Sequence, residues 1–515
     1  PPVFTVSSLD LCFELDPTAT TVTSTLVVEK TSDHSQALHL DGEELTLLSI
    51  SLDGVVLSTS DYQLDENGIT LPEVSKQCEL MIKTQINPEA NSALTGLYIS
   101  NGVFCTQCEA ETFRKITYYF DRPDVLTTFE VKIIADEKRY PVLLSNGNLI
   151  EEGKLENNKH FAIWHDPIKK PCYLFALVAG DLASIEDEFI TSSGKKVTLK
   201  IFSEHHAISQ CDFAMTSLKK SMLWDEEHYG REYDLDIFNI VAVNDFNFGA
   251  MENKSLNIFN SKYILASPQT ATDRNYGDID TVVAHEYFHN WSGNRVTCRD
   301  WFQISLKEGF TVFREQSFDE TIVSETVHRI RKVQELRNRQ FSEDAGPLAH
   351  PVQPKSYIQI DNFYTMTVYY KGGEVIRMQQ TLLGKEMFRK ACDAYFDRFD
   401  GQAVTTDDFV DCMQSVSGVD LSQFRLWYSQ AGTPELYVSD SYDVAAKTYT
   451  LTIRQHVPST PDMKDKKPML IPLRLALLNA QGDELALQLK DSDQLRGDVL
   501  LVNKDEQSFV FENIE

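Results

Sequence analysis

The chain has 515 residues, 42% hydrophobic and 24% charged, with a formal net charge of -29 at pH 7. That length exceeds what one hydrophobic core serves, so about three domains are expected. The charge argues against a nucleic-acid partner, whose phosphates it would repel, and no apolar run approaches the roughly eighteen residues of a membrane span.

The chain opens Pro1-Pro2-Val3-Phe4, with neither the basic start nor the apolar stretch of a signal peptide. The expected compartment is therefore the cytoplasm; the chain also lacks an initiator Met, so an N-terminal segment is expected to have been removed, and an organelle is expected if that segment was a targeting one. Nine cysteines, odd in number and scattered, fit reduced thiols better than a disulfide framework. Cys105 and Cys108 form a lone C-x-x-C, read as two unconnected thiols.

From Val3 to about Leu182 the pattern alternates and favours β-branched residues. Thr21–Val28, Leu45–Leu52, Val131–Ala135 and Tyr173–Val178 read as strands. Asp41-Gly42, Asp53-Gly54, Asn67-Gly68 and Asn146-Gly147 are turn signals. Residues 1–182 therefore form an all-β domain of saddle or sandwich type. After about Asp187, Lys196–Phe202 and Phe238–Val243 read as strands and Asp212–Trp224 as a helix. Further helices are expected at about Asp278–Ser292, ended by a left-handed Gly293, and at Leu306–Ser317, Thr321–Arg339, Val368–Leu383, Lys385–Phe399, Thr406–Ser417 and Leu421–Ala431. Residues 183–432 thus form an α+β domain, closed by the breaker Gly432-Thr433-Pro434. In 433–515, strand patterns return at Glu435–Val438, Thr448–Gln455, Leu470–Leu478 and Phe509–Glu512, giving a small β-sandwich.

One run stands out: His285-Glu286-Tyr287-Phe288-His289. On a helix, positions i and i+4 share a face, so both imidazoles can reach one metal ion. Glu286 lies beside them, where it can take a proton from a metal-bound water. A catalytic zinc usually has three protein ligands, and Glu308, nineteen positions after His289 on a following helical stretch, is the candidate third. Hydroxide attack on a carbonyl creates an oxyanion that a tyrosine hydroxyl could steady, but spacing does not choose among twenty tyrosines. Ligands of this kind also accept cobalt or manganese.

Gly249-Ala250-Met251-Glu252-Asn253, followed by the H-E-x-x-H run and Glu308, resembles the aminopeptidase N family of zinc exopeptidases. Thr106–Glu111, Asn257–Lys262 and Trp291–Asp300 resemble its bacterial-type branch most, and the likeness spans essentially the whole chain. It implies a thermolysin-like catalytic domain, one Zn2+ held by His285, His289 and Glu308, and Glu286 as general base. By the same resemblance Tyr369 stabilises the oxyanion, Glu252 and Glu109 bind the substrate's free amino group, and Gly249 and Ala250 run beside the peptide like an edge strand. Two carboxylates at a set distance from the reacting carbonyl would make the enzyme an exopeptidase. The implied substrates are peptides with a free N-terminus, with broad preference and a bias to basic or apolar first residues. The protein is expected to be a monomer.

Three departures from the family pattern stand out. Tyr370 and Gly373 occupy the run Thr367-Val368-Tyr369-Tyr370-Lys371-Gly372-Gly373 where the family usually has Glu and Ala. Phe248, stiffer than the Met common there, would alter the preference among bulky first residues. The chain also ends at Glu515, close to where relatives begin a large helical domain, so a fragment or processed form is expected, with weak or absent activity. Two rival readings are an epoxide hydrolase on the same scaffold, whose G-G-M-E-N differs from the G-A-M-E-N here, and a peptide-binding module without turnover.

Overall fold

The computed structural model describes residues 2–32 and 36–514. By contacts the chain divides into two compact units: Pro1–Trp301 with Arg314–Asp319 and Phe399–Ala403, and Phe302–Phe313 with Glu320–Arg398 and Val404–Glu515.

The first unit opens with an eight-stranded sheet. Its order is 148–154, 159–170, 127–136, 4–14, 20–30, 77–86, 46–52, 55–56. Phe4–Glu14 lies parallel to Thr127–Asp136 and antiparallel to Thr20–Lys30. Along Thr20–Lys30 burial alternates, with Val22, Leu26 and Val28 inward, as the two-residue strand period requires. Phe13, Phe113 and Phe129 pack around the Phe175 ring at centroid distances of 5.8, 5.4 and 6.2 Å. The expected strand Tyr173–Val178 is instead a turn at Cys172–Leu174 and a strand at Leu177–Gly180. The Asn146 side chain causes this. It donates to Leu174 O (2.9 Å) and accepts from Ala176 N (2.8 Å), taking groups that a strand partner would use.

A second sheet runs in the order Ala183–Ile190, Lys196–Ser203, Ile237–Val243, Leu256–Asn260, Ala250–Met251. Its middle strands are parallel, and Ile240, Val241, Leu256 and Ile258 are fully buried, as strands covered on both faces must be. The two-residue strand Ala250–Met251 is its edge. Helices α1 (Asp212–Tyr229) and α2 (Asp273–Phe288) belong to this unit.

α2 begins five residues earlier than expected, because Thr272 and Asn275 form a reciprocal capping box. It ends at Phe288 with His289 as C-cap, and Gly293 does not end it. Gly293 sits in the following loop, its N–H on Val296 O at 2.9 Å. The end of α2 is capped by a side chain, since buried Arg314 donates to Phe288 O (2.7 Å) and Ser292 Oγ (2.9 Å).

Helix α3 (Ser305–Asp319) contributes its last turns to the first unit and its first turns to the second. The second unit continues with Glu325–Glu335 flanked by π-turns at Glu320–Ser324 and Leu336–Gln340, then Gly372–Leu383, Lys385–Phe399 and Thr406–Ser417. The helix expected over Leu421–Ala431 shrinks to Leu426–Ser429. Trp427 Nε1 donates to Leu470 O (2.8 Å) and Gln430 Nε2 to Lys467 O (2.9 Å), which ties this stretch down tertiarily. Beyond it, Glu435–Asp443, Thr448–His456 and Glu506–Phe511 form one antiparallel sheet, and Ile471–Arg474, Val499–Val502 and Leu495–Arg496 another. Ile453, Leu500, Val502, Phe509 and Phe511 make their core. Among the described residues no helix is long and apolar enough to cross a membrane.

Candidate active site

α2 carries His285, Glu286 and His289 in its last turn and C-cap. His289 and Glu286 are buried and His285 half-buried. The one-turn spacing brings the two Nε2 atoms to 3.0 Å. Each Nδ1 faces an acceptor: His285 Nδ1 meets Glu315 Oε2 at 2.8 Å, and His289 Nδ1 meets Ser292 O at 2.9 Å. A carboxylate and a carbonyl can only accept, so each Nδ1 carries a proton, which leaves each Nε2 as the ring atom that can bind a metal. A divalent cation shared between the two Nε2 atoms satisfies both when the rings are neutral. Tetrahedral zinc with N ligands at about 2.0–2.1 Å would separate them by roughly 3.3 Å, close to what is seen. The donor set therefore fits zinc.

α3 supplies the acidic side. Glu308 and Glu315 are seven residues apart, two helical turns, and so share a face. A carboxylate oxygen of Glu308 and one ring nitrogen of each histidine all lie within 4.8 Å of one another. Glu315 fixes the ring of His285, a role absent from the sequence reading. The same-face spacing from Glu308 was the available signal. Arg314, next to it, is wholly buried and paired with Asp225, so it anchors α3 against the end of α2 and against α1.

The edge strand and its flanks carry Phe248 to Asn253. Gly249 has no room for a larger side chain without crowding, since a Cβ there would lie 3.1 Å from the Tyr263 ring. Ala250 and Met251 pair with Phe259 and Ile258, leaving the other edge of the strand unpaired within this sheet. Phe248 is half-buried just before it. Glu252 and Asn253 follow, both buried, and Glu252 O accepts from Asn294 Nδ2 at 2.9 Å. Gln107 Nε2 reaches Glu109 O (3.3 Å) and Met251 Sδ (3.8 Å), so it joins the two segments that carry Glu109 and Glu252. A carboxylate oxygen of Glu109 lies within 4.8 Å of one of Glu252, and one of Glu252 lies equally near Glu286 and His289. Such a concentration of buried acid suits a cationic ligand.

Tyr369 lies in the second unit, on the π-turn Thr367–Lys371 that opens the helix Gly372–Leu383. Both ends of this turn are pinned. Glu343 Oε1 accepts from Thr367 N (2.8 Å) and Oγ1 (2.5 Å), and Lys371 Nζ donates to Asp344 Oδ2 at 2.6 Å. Single π-turns of this kind concentrate at functional sites. Tyr370 lies under an ammonium, Lys332 Nζ standing 5.6 Å from its ring centroid.

All nine cysteines are free. Burial pushes the Cys105 thiol up to about 12, and that of Cys108 well above its ordinary value, so neither is a ready thiolate.

Comparison with known proteins places the chain in a family. Residues 6–174 match the peptidase M1 N-terminal domain, 213–428 the peptidase family M1 domain, and 432–515 a domain of unknown function with an Ig-like fold. The chain is similar to aminopeptidase N of Escherichia coli (strain K12), 51% identical over 513 residues, covering 100% of this chain and 58% of that protein. It is also similar to aminopeptidase N of Caulobacter vibrioides, 55% identical over 447 residues, covering 87% and 52%. The crystal structure of Legionella pneumophila aminopeptidase A in complex with aspartic acid superposes with a TM-score of 0.90 at 34% identity, covering 100% of this chain and 57% of that one. The chain thus spans between half and three-fifths of the length of these relatives. An N-terminal β domain, a central α+β peptidase domain and an Ig-like β domain follow one another along the chain, and the chain belongs to the peptidase M1 family.

Proposed function

We propose that this protein is a zinc-dependent aminopeptidase that removes one residue at a time from free N-termini of peptides, with broad specificity. The observation that carries it is the pair of imidazole Nε2 atoms 3.0 Å apart, each ring held by a hydrogen-bond acceptor at its Nδ1. His285, His289 and Glu308 would hold the ion. A bound zinc would polarise the scissile carbonyl and bring the pKa of its water towards neutrality. Glu286 accepts the proton of the attacking water and hands it to the leaving amine. Glu109 and Glu252 grip the substrate's ammonium, which fixes how far its carbonyl reaches past them and limits cleavage to the first peptide bond. The free edge of Ala250–Met251 offers backbone groups to the extended peptide. The Tyr369 hydroxyl donates to the oxyanion.

The epoxide-hydrolase rival is disfavoured by Ala250, because its motif carries Gly at that place. The test is release of chromophore from alanyl and arginyl arylamides, with chelator and with Glu286→Gln alongside. Release should stop with chelator and return with zinc. Glu286→Gln should keep its zinc and lose about 10²–10⁴-fold in kcat. Full turnover by Glu286→Gln would remove the assigned base, and chelator-resistant release would remove the metal.

A further inference from the structure

Several buried charges of the first unit are unused by this chemistry, and they gather at Lys254. Lys254 follows Glu252 and Asn253 and is 1% exposed. Its ammonium lies 2.5 Å from each carboxylate oxygen of Asp234 and 2.6 Å from Asn290 Oδ1. Asn290 is the residue after His289. Asp234 also accepts from Arg295 Nη1 (2.8 Å), and Arg295 forks onto Asp400 at 2.8 and 2.6 Å. One ammonium therefore bridges the segment just after the edge strand, which bears Glu252, and the end of the helix that bears His289.

The backbone on both sides of Lys254 is held as well. Lys254 O accepts from Asn146 Nδ2 at 2.8 Å, and Ser255 Oγ accepts from Gly147 N at 2.6 Å. Asn294 Nδ2 on Glu252 O ties the same segment to the loop after α2. Burial pulls the Lys254 ammonium below the ordinary lysine range even against Asp234. Burial alone would raise the Asp234 carboxyl, but Lys254 and Arg295 hold it below the usual carboxylate range, so the group is an ion pair. An apolar residue of similar length would fill this space without desolvating a charge. What an apolar residue lacks is direction: three short bonds from one nitrogen set a distance that packing alone leaves loose.

We propose that Lys254 is a positioning residue that holds the amine-binding carboxylate of Glu252 at a set spacing from the His289 end of α2. This rests on the aminopeptidase reading above. The variants are Lys254→Met, which keeps the stem and removes the charge, Asn290→Ala, which cuts only the link to α2, Glu252→Gln, and the double variant Lys254→Met/Glu252→Gln. Each is assayed as the full chain for zinc by elemental analysis, for thermal unfolding, and for kcat and KM on arginyl arylamide. Lys254→Met should keep one zinc and a single unfolding transition, and lose about 10–100-fold in kcat/KM. In the double variant the loss should equal that of Glu252→Gln alone, because both changes remove the same contact with the substrate's amine. Losses that multiply, or an unchanged kcat/KM in Lys254→Met with an active wild type, overturn the clamp and leave the peptidase intact. Zinc loss in step with activity also overturns it, since Lys254 would then act on the ion. If Lys254→Met does not fold, Asn290→Ala is judged by the same criteria. No release by wild type with zinc bound overturns the peptidase reading, and the clamp falls with it.

Discussion

Glu315 touches no substrate in the proposed reaction, yet zinc binding should depend on it. Its Oε2 accepts a hydrogen bond from His285 Nδ1 at 2.8 Å, with the two side chains 8% and 13% exposed. That bond fixes the tautomer and aims Nε2 at its neighbour. Glu315→Ala leaves the ring free to rotate and to move its proton to Nε2, which removes one ligand for part of the time. Loss of such a partner costs about 10–100-fold in metal affinity, or about 1.4–2.7 kcal/mol. Glu315→Gln keeps an accepting oxygen and the side-chain volume but loses the charge, so about 1 kcal/mol is expected, the difference between a charge-assisted bond and a neutral one. The measurement is a zinc titration against a chromophoric chelator near neutral pH, with arylamide turnover in parallel. Affinity should fall in the order wild type, Glu315→Gln, Glu315→Ala, and excess zinc should restore most of the turnover. Wild-type affinity in Glu315→Ala would refute the orienting role. Lost turnover at full zinc occupancy would show that Glu315 acts elsewhere.

Two further outcomes are expected. Tyr369→Phe should lower kcat by about 10²–10³-fold with little change in KM, because its hydroxyl is needed only as the oxyanion forms, and equal losses in Tyr370→Phe would move the role to that residue. Asp344→Asn should destabilise the second unit by about 3–5 kcal/mol, because it strands the buried Lys371 ammonium 2.6 Å away. Burial alone would raise the Asp344 carboxyl, but Lys371 and the Gly432 N–H hold it below its ordinary value of 3.8. Its folded pKa is thus the depressed one, so its contribution is complete above the ordinary value of 3.8 and is lost as pH falls from there through the lower folded value. Unfolding midpoints followed from neutral pH down to about pH 3 should show wild type and Asp344→Asn converging in acid, and a constant gap would contradict the ion pair.

The sequence alone carried whatever depends on local spacing. The i, i+4 histidines share a helix face whatever the rest of the chain does, and the alternation of Thr20–Lys30 assigns its inward side chains without knowledge of its neighbours. The family resemblance then nominated Glu109, Glu252 and Tyr369, which no spacing rule selects. Only the tertiary structure decided which distant groups meet. Glu315 reaches His285 across thirty positions, Arg314 caps α2 in place of Gly293, Asn146 breaks the strand expected at Tyr173–Val178, and Trp427 and Gln430 cut short the last helix. Periodicity fixes the direction a side chain takes from its own element. The partner it finds there depends on how other elements cross, and an alternation pattern holds no record of that.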